Sequence, residues 1–201
     1  MFQREEGCVD DAEVIELSRR DPERFTAVFD RYGDEILRYV HARLGPELAQ
    51  DVTAETFLAA FRHRDRFDPS FGSARPWLYG IAARQIGKHR RTEIRRLRLL
   101  RSAAGPALAE AVAADFSARA AERVAAEGLR PRLAQLLAAM QPQDRELLLL
   151  VAWGGLSYEE AAAATNTTVA AVKARLHRIR VRTRSELGGV NPLAGEEISL
   201  G

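Results

Sequence analysis

One cysteine in 201 residues, Cys8, excludes an intrachain disulfide and any cysteine-rich zinc site, and suits a reducing compartment. Histidine is scarce as well. The four present, His41, His63, His89 and His177, have no carboxylate or cysteine recurring at ligand spacing, so neither a metal nor another cofactor is expected. No run of about 18 or more apolar residues exists, and Arg4, Glu5 and Glu6 break up the N-terminus. That argues against membrane insertion and a secretory leader, and for a cytoplasmic protein. A Gly-rich phosphate cradle, an HExxH pair and a nucleophile with an identifiable base are all missing, so an enzyme with a small-molecule substrate is not expected. Sustained apolar/polar alternation, the mark of half-buried strands, is missing too.

What is there is a foldable, helix-patterned chain. Hydrophobic residues at 46% and charged residues at 29% are ordinary for a globular protein and argue against global disorder. Apolar side chains recur at three and four positions almost throughout, which gives an all-α fold class. The length allows two small helical domains. The net charge of +2 and an isoelectric point of about 9.0 hide an uneven distribution. From Arg75 to Arg101 there are nine Lys or Arg against one acid, Glu93, and from Lys173 to Arg184 six against none. Either run alone reads equally well as a solvated helix face. Two runs in two separate modules point to a polyanionic partner.

The pattern predicts a first helix from about Asp10 to Arg20, stopped by Asp21-Pro22, and a second with Phe25, Val28, Phe29, Tyr32, Ile36, Tyr39, Val40 and Leu44 on a wide stripe. Gly45-Pro46 ends it. A third, from about Glu47 to His63, turns Val52, Phe57, Leu58 and Phe61 to a core; Asp65 to Gly72 is a loop; a fourth starts near Ser73 and becomes strongly basic from Lys88. These four make one bundle-like domain, residues 10–101. Residues 102–126, rich in alanine, read as a linker, and a second helical domain spans 127–187 before a loose tail at 188–201.

Residues 157–183 have the layout of a helix-turn-helix. Ser157 and Glu160 form an S-x-x-E capping box, Asn166 sits where the turn needs left-handed geometry, and Thr168 caps the second helix. On that second helix Val169, Val172, Leu176 and Ile179 share one face. Ala170, Ala174, His177 and Arg178 lie opposite, with Lys173 and Arg175 at the edges. Small outward residues let a helix approach base edges closely while flanking cations reach phosphates. An ordinary amphipathic helical hairpin has the same pattern and stays open at this level. So do a regulator that uses only this module and a helical interaction protein whose basic faces are incidental.

The stretch LLAAMQPQDRELLLLVAWGGLSYEEAAAATNTTVAAVKARLHRIRVRTRSEL resembles the C-terminal DNA-binding part, region 4, of extracytoplasmic-function (ECF) sigma factors of bacterial RNA polymerase. In the N-terminal half RFTAVFDRYGDEILRYVHARLG, QDVTAETFLAAFRHRDRFDPSFG and SARPWLYGIAARQIGKHRR resemble region 2 of the same family. The matched stretches run roughly over residues 24 to 101 and 131 to 187, in the family's order. With no further N-terminal region and no middle domain between them, they resemble the ECF group rather than housekeeping sigma factors. The resemblance implies core RNA polymerase and promoter DNA as partners, leaves room for an anti-sigma factor, and assigns no catalytic residue.

It places polymerase contacts in DVTAETF, at Asp51, Glu55 and Thr56, with Val52 and Phe57 supporting them from the core; Ala54 stands where many relatives have glutamine. It places contacts to the melted −10 element at Arg66, Phe67, Phe71, Arg75, Arg84, Lys88, Arg90 and Arg91, with Phe71 the loop aromatic for an unpaired base and Trp77 mostly core. It places contacts to the −35 element at Ser157, Tyr158, Thr168, Ala170, Lys173, Ala174, Arg175, His177 and Arg178. Ala161, Ala164, Thr165 and Thr167 are smaller or more polar than their counterparts in relatives, and each missing methylene forgoes about 0.8 kcal/mol of burial. The C-terminal domain is therefore expected to need a partner to firm it up.

Overall fold

The computed structural model describes residues 10–104 and 130–186, which form eight α-helices and no strand among them. Helix α1, Asp11–Ser18, begins where the Asp10 carbonyl accepts the N–H of Val14 at 3.0 Å and stops before Asp21-Pro22. Pro22, lacking an N–H to satisfy, starts a single 3₁₀ turn that runs into α2, Thr26–Leu44. Gly45, at φ 87°, breaks α2, and Pro46 takes the first position of α3, Pro46–Arg62. Two short 3₁₀ turns, Arg64–Arg66 and Pro69–Phe71, lead to α4, Arg75–Ala104. Residues 102–104 thus prolong the basic helix, and the rest of the expected linker, like the tail at 188–201, lies outside the described residues.

Helices α2, α3 and α4 pack around Val28, Ile36, Val40, Val52, Phe57, Leu78 and Ile86, and α1 covers one end with Val14 and Ile15. Burying each such side chain stabilises the fold by roughly 1.5–3 kcal/mol relative to leaving it exposed. Edge-on pairs Phe25–Phe61 and Phe29–Phe57, with ring centroids 5.5 and 4.9 Å apart, join α2 to α3 and its N-terminal turn.

The C-terminal module comprises α5, Arg130–Ala139, α6, Pro142–Ala152, α7, Tyr158–Thr165, and α8, Val169–Glu186. Its core is Leu147, Leu150, Leu156, Ala161, Val172, Leu176 and Ile179. None of the described helices is long and apolar enough to cross a membrane.

The two modules are docked, and one continuous cluster of buried side chains runs through both. Small residues make this possible. Helix α4 passes α7 so closely that a Cβ on Gly80 would sit 2.6 Å from the Ala164 carbonyl oxygen. The sequence pattern at Ala164 predicts under-packing; in the structure this alanine is where the N-terminal module seats.

Candidate nucleic-acid and polymerase interface

The helix-turn-helix is built from local chemistry. The Ser157 hydroxyl accepts the Glu160 N–H at 3.1 Å, and the Glu160 carboxylate accepts the Ser157 N–H at 2.8 Å, so two unpaired donors of α7 are satisfied reciprocally. Asn166 ends α7 in the left-handed region at φ 52° and ψ 52°, and Thr168 accepts the Ala171 N–H at 3.2 Å at the start of α8. Val172, Leu176 and Ile179 are buried, Val169 is half-buried, and Ala170, Lys173, Ala174, His177 and Arg178 are exposed, with Arg175 partly covered. Tyr158 points back along α8, its hydroxyl accepting from Arg180 at 3.0 Å. The outward face therefore has two alanines at its centre and cations around them, a shape that fits a major groove.

On the N-terminal module the loop between α3 and α4 is held open by its own hydrogen bonds. Asp68 caps the turn Pro69–Phe71 by accepting the Ser70 N–H at 2.9 Å; the Ser70 side chain first, and this N–H second, hold its carboxyl below the usual range, and Gly72 turns the chain at φ 67°. Phe71 is 49% exposed at the tip. Phe67 is not: 6% exposed, it lies edge-on to Trp77 with ring centroids 5.3 Å apart. The expectation of Phe67 as a DNA contact is corrected on this point; it is a wedge that supports the loop, and Trp77 is half-buried above it.

The expected cations divide into two sets. Arg66, Arg84, Lys88 and Arg91 are exposed. Arg75 and Arg90 are turned towards the other module. The Arg75 guanidinium donates to Glu35 at 2.7 Å, to Glu160 of α7 at 2.8 Å and to the Gly154 carbonyl at 2.8 Å. Burial alone lowers its pKa, but the bonds to Glu35 and Glu160 outweigh burial and raise it, so the cation is permanent. Arg90 donates to the Arg43 carbonyl at 3.1 Å, and burial, with Arg43 and Arg145 nearby, pulls it down to about 10. It stays charged near neutrality.

Residues that sequence reasoning missed complete this contact. Arg43 of α2, its side chain 1% exposed, makes a two-pronged pair with Glu146 of α6 at 2.8 and 2.7 Å, and Tyr39 donates to the same carboxylate at 2.9 Å. Burial raises the pKa of Glu146, but its hydrogen bond to Arg43 and the neighbouring positive charge bring it below the usual carboxylate range. Tyr79 donates to Glu35 at 3.0 Å and packs edge-on to Tyr39, ring centroids 4.9 Å apart. An arginine in the apolar stripe of α2 was the available signal.

The third surface is on α3. Asp51, Ala54 and Leu58 are exposed and Glu55 is half-exposed, its carboxylate 3.1 Å from His89 of α4. Val52 and Phe57 are buried beneath, as expected. Thr56 is also buried, with its hydroxyl donating to the Val52 carbonyl at 2.7 Å, so its assignment as an outward polar contact is corrected. The sequence stripe also hid Phe29 of α2 and Leu58, both about half exposed. No group of three or more His, Cys, Asp or Glu side chains among the described residues could hold a metal.

Comparison with known proteins gives two family matches on one chain: residues 28–96 match Sigma-70 region 2, and residues 130–182 match Sigma-70, region 4. The ECF RNA polymerase sigma factor SigD of Mycobacterium tuberculosis is 32% identical, with 88% of this chain and 83% of SigD covered. The ECF RNA polymerase sigma factor BldN of Streptomyces coelicolor is 29% identical, with 89% of this chain and 67% of BldN covered. Among solved structures, CnrH in complex with the cytosolic domain of CnrY shares the fold at 24% identity and a TM-score of 0.57, covering 90% of this chain and 99% of that one. The sigma factor RpoE of Bartonella quintana, solved with the anti-sigma factor NepR, shares it at 19% identity and 0.55, covering 84% and 99%.

Proposed function

We propose, for a chain that belongs to the sigma-70 family and to its ECF group, a division of labour in promoter-specific transcription initiation. Residues 10–101 act as region 2 and residues 127–187 as region 4, joined by 102–126 and followed by the tail 188–201. Asp51, exposed, and Glu55, half-exposed, backed by Val52 and Phe57, dock on core RNA polymerase. The loop tip with Phe71, together with Arg66, Arg84, Lys88 and Arg91, captures the unpaired −10 strand: an aromatic face stacks on a base while cations hold its phosphates. Ala170 and Ala174 allow α8 to approach bases of the −35 duplex, and Lys173, Arg175, His177 and Arg178 hold its backbone. The chain itself performs no bond chemistry in this scheme and acts in the cytoplasm, where polymerase and chromosome are. An anti-sigma factor is a further partner in this reading, as CnrH and the Bartonella RpoE were solved with CnrY and NepR.

The observation that carries the reading is the pairing, in one chain, of an outward small-residue helix flanked by cations with a basic helix preceded by an exposed loop aromatic. A regulator working through the helix-turn-helix alone leaves the second surface without a task. The test is run-off transcription with core polymerase on fragmented genomic DNA, with mapping of the starts. New selective starts that vanish when α8 is made acidic are expected. Core polymerase that neither binds the chain nor gains a start from it sinks the proposal.

A further inference from the structure

Helix α1 lies ahead of the stretch matched to region 2, and it is tied to both ends of the loop that carries Phe71. At the near end, the guanidinium of Arg19, just after α1, donates to the Asp65 carbonyl and Arg64 donates to the Ser18 carbonyl, each at 3.3 Å. At the far end stands Asp11, only 4% exposed. One carboxylate oxygen accepts the Ala74 N–H at 2.7 Å and the Tyr32 hydroxyl at 2.6 Å, and the other accepts from Arg31 at 2.6 Å. Tyr32 also lies 3.1 Å from the Ser73 hydroxyl.

The chemistry makes Asp11 a fixed point. Ala74 precedes α4, where an N–H has no partner inside the helix, and it is fully buried, so no water can take the carboxylate's place. Burial pushes the Tyr32 hydroxyl up to about 12, and the hydrogen bond to Asp11 adds to this, so the phenol remains a donor. Between the two anchors the chain runs only from Asp65 to Ala74, with Phe67 wedged under Trp77 in the middle. Nothing but the tip is left to move.

We propose that α1 is a positioning element for strand capture, and that Asp11 is its specificity-determining residue, setting where the loop presents Phe71 to an unpaired base. This rests on the reading of the loop as the −10 contact. A loop displaced by about 1 Å loses a large part of its selectivity, up to ~100-fold, while surfaces elsewhere on the chain are untouched.

The test uses the full-length chain with core polymerase, transcribing a promoter whose start has been mapped from a template library randomised across both the −10 and −35 elements; transcripts are sequenced. For Asp11→Asn the expected result is a ~10-fold or greater flattening of base preference in the −10 element, with −35 preference and core affinity unchanged. Undiminished −10 preference overturns the proposal. If Asp11→Asn loses all three properties together, the milder Tyr32→Phe and Arg19→Ala decide: each removes one tie, and a selective loss in the −10 element supports the idea whereas full retention by both overturns it. Phe71→Ala runs alongside. If that variant keeps its −10 preference, the loop is not the strand contact, and the failure belongs to the parent reading rather than to Asp11.

Discussion

A single methyl group at Gly80 should separate two effects that usually travel together. Within α4, Ala in place of Gly favours the helix by about 0.8–1.0 kcal/mol. Against α7 the same methyl meets the Ala164 carbonyl oxygen at 2.6 Å, where a carbon and an oxygen normally stay about 3.3 Å or more apart. The obstacle is main chain, so no side chain can swing aside, and forced overpacking of this kind costs roughly 1–3 kcal/mol. At about 1.4 kcal/mol per factor of ten, Gly80→Ala moves the docked-to-separated equilibrium ~5- to ~150-fold towards separation. On the proposed division of labour the two promoter elements, one and a half helical turns apart, lie about 50 Å from each other, and core polymerase and DNA would favour the separated form. The variant should therefore bind them at least as tightly as the parent. Small-angle scattering reads the separation as a larger radius of gyration, and circular dichroism should report unchanged helix content. A higher melting temperature with an unaltered scattering profile refutes the reasoning, since it means α7 accommodates the methyl.

Three further outcomes are expected. Glu146→Ala leaves the Arg43 cation buried without its carboxylate, which costs about 3–5 kcal/mol, whereas Arg43→Met with Glu146→Leu should recover most of it; urea midpoints measure both. The carboxyls of Glu146 and Glu160 are held below the ordinary range, so what they contribute is present above the unfolded carboxylate pKa and is lost as pH falls through the folded values. Scattering profiles should accordingly be alike from about pH 6 to about pH 8 and expand only in acid below about pH 4; expansion already near pH 6 contradicts the assignment. Ala174→Glu puts an anion at the centre of the outward face of α8, where it is exposed and harmless to the fold. Selective transcription should fall by more than ~10-fold with the melting temperature unchanged, each lost base contact being worth about 1–3 kcal/mol.

Local rules made the helix-turn-helix readable before any coordinates. Ser157, Glu160, Asn166 and Thr168 each act on backbone within a few residues of themselves, and the apolar face of α8 follows from helical spacing alone. Helix ends at Gly45-Pro46 and Asp21-Pro22 were legible for the same reason. Side-chain direction across the molecule was not. Arg75 and Arg90 sit in a basic run that looks uniform along the chain, yet their partners Glu160 and Arg43 are 85 and 47 residues away. Phe67 and Phe71 are four residues apart in one loop, and the edge-on contact of the first with Trp77 separates a buried wedge from an exposed tip. Thr56 lies one position past the outward Glu55, far enough round the helix to point inward. Ala164 of α7 has a second meaning that the sequence alone does not separate, because a small side chain marks a close neighbour as readily as a poorly filled core.

Arg75 meets the C-terminal module through an anion, Glu160, and a carbonyl, Gly154. A phosphodiester offers the same charge and a matching pair of oxygens to a guanidinium. On the proposed reading, a phosphate reaching this side chain would take the place of Glu160 while Glu35 stays bound, so the cation is never stripped bare. Release of the C-terminal module and engagement of the strand would then be the two ends of a single substitution.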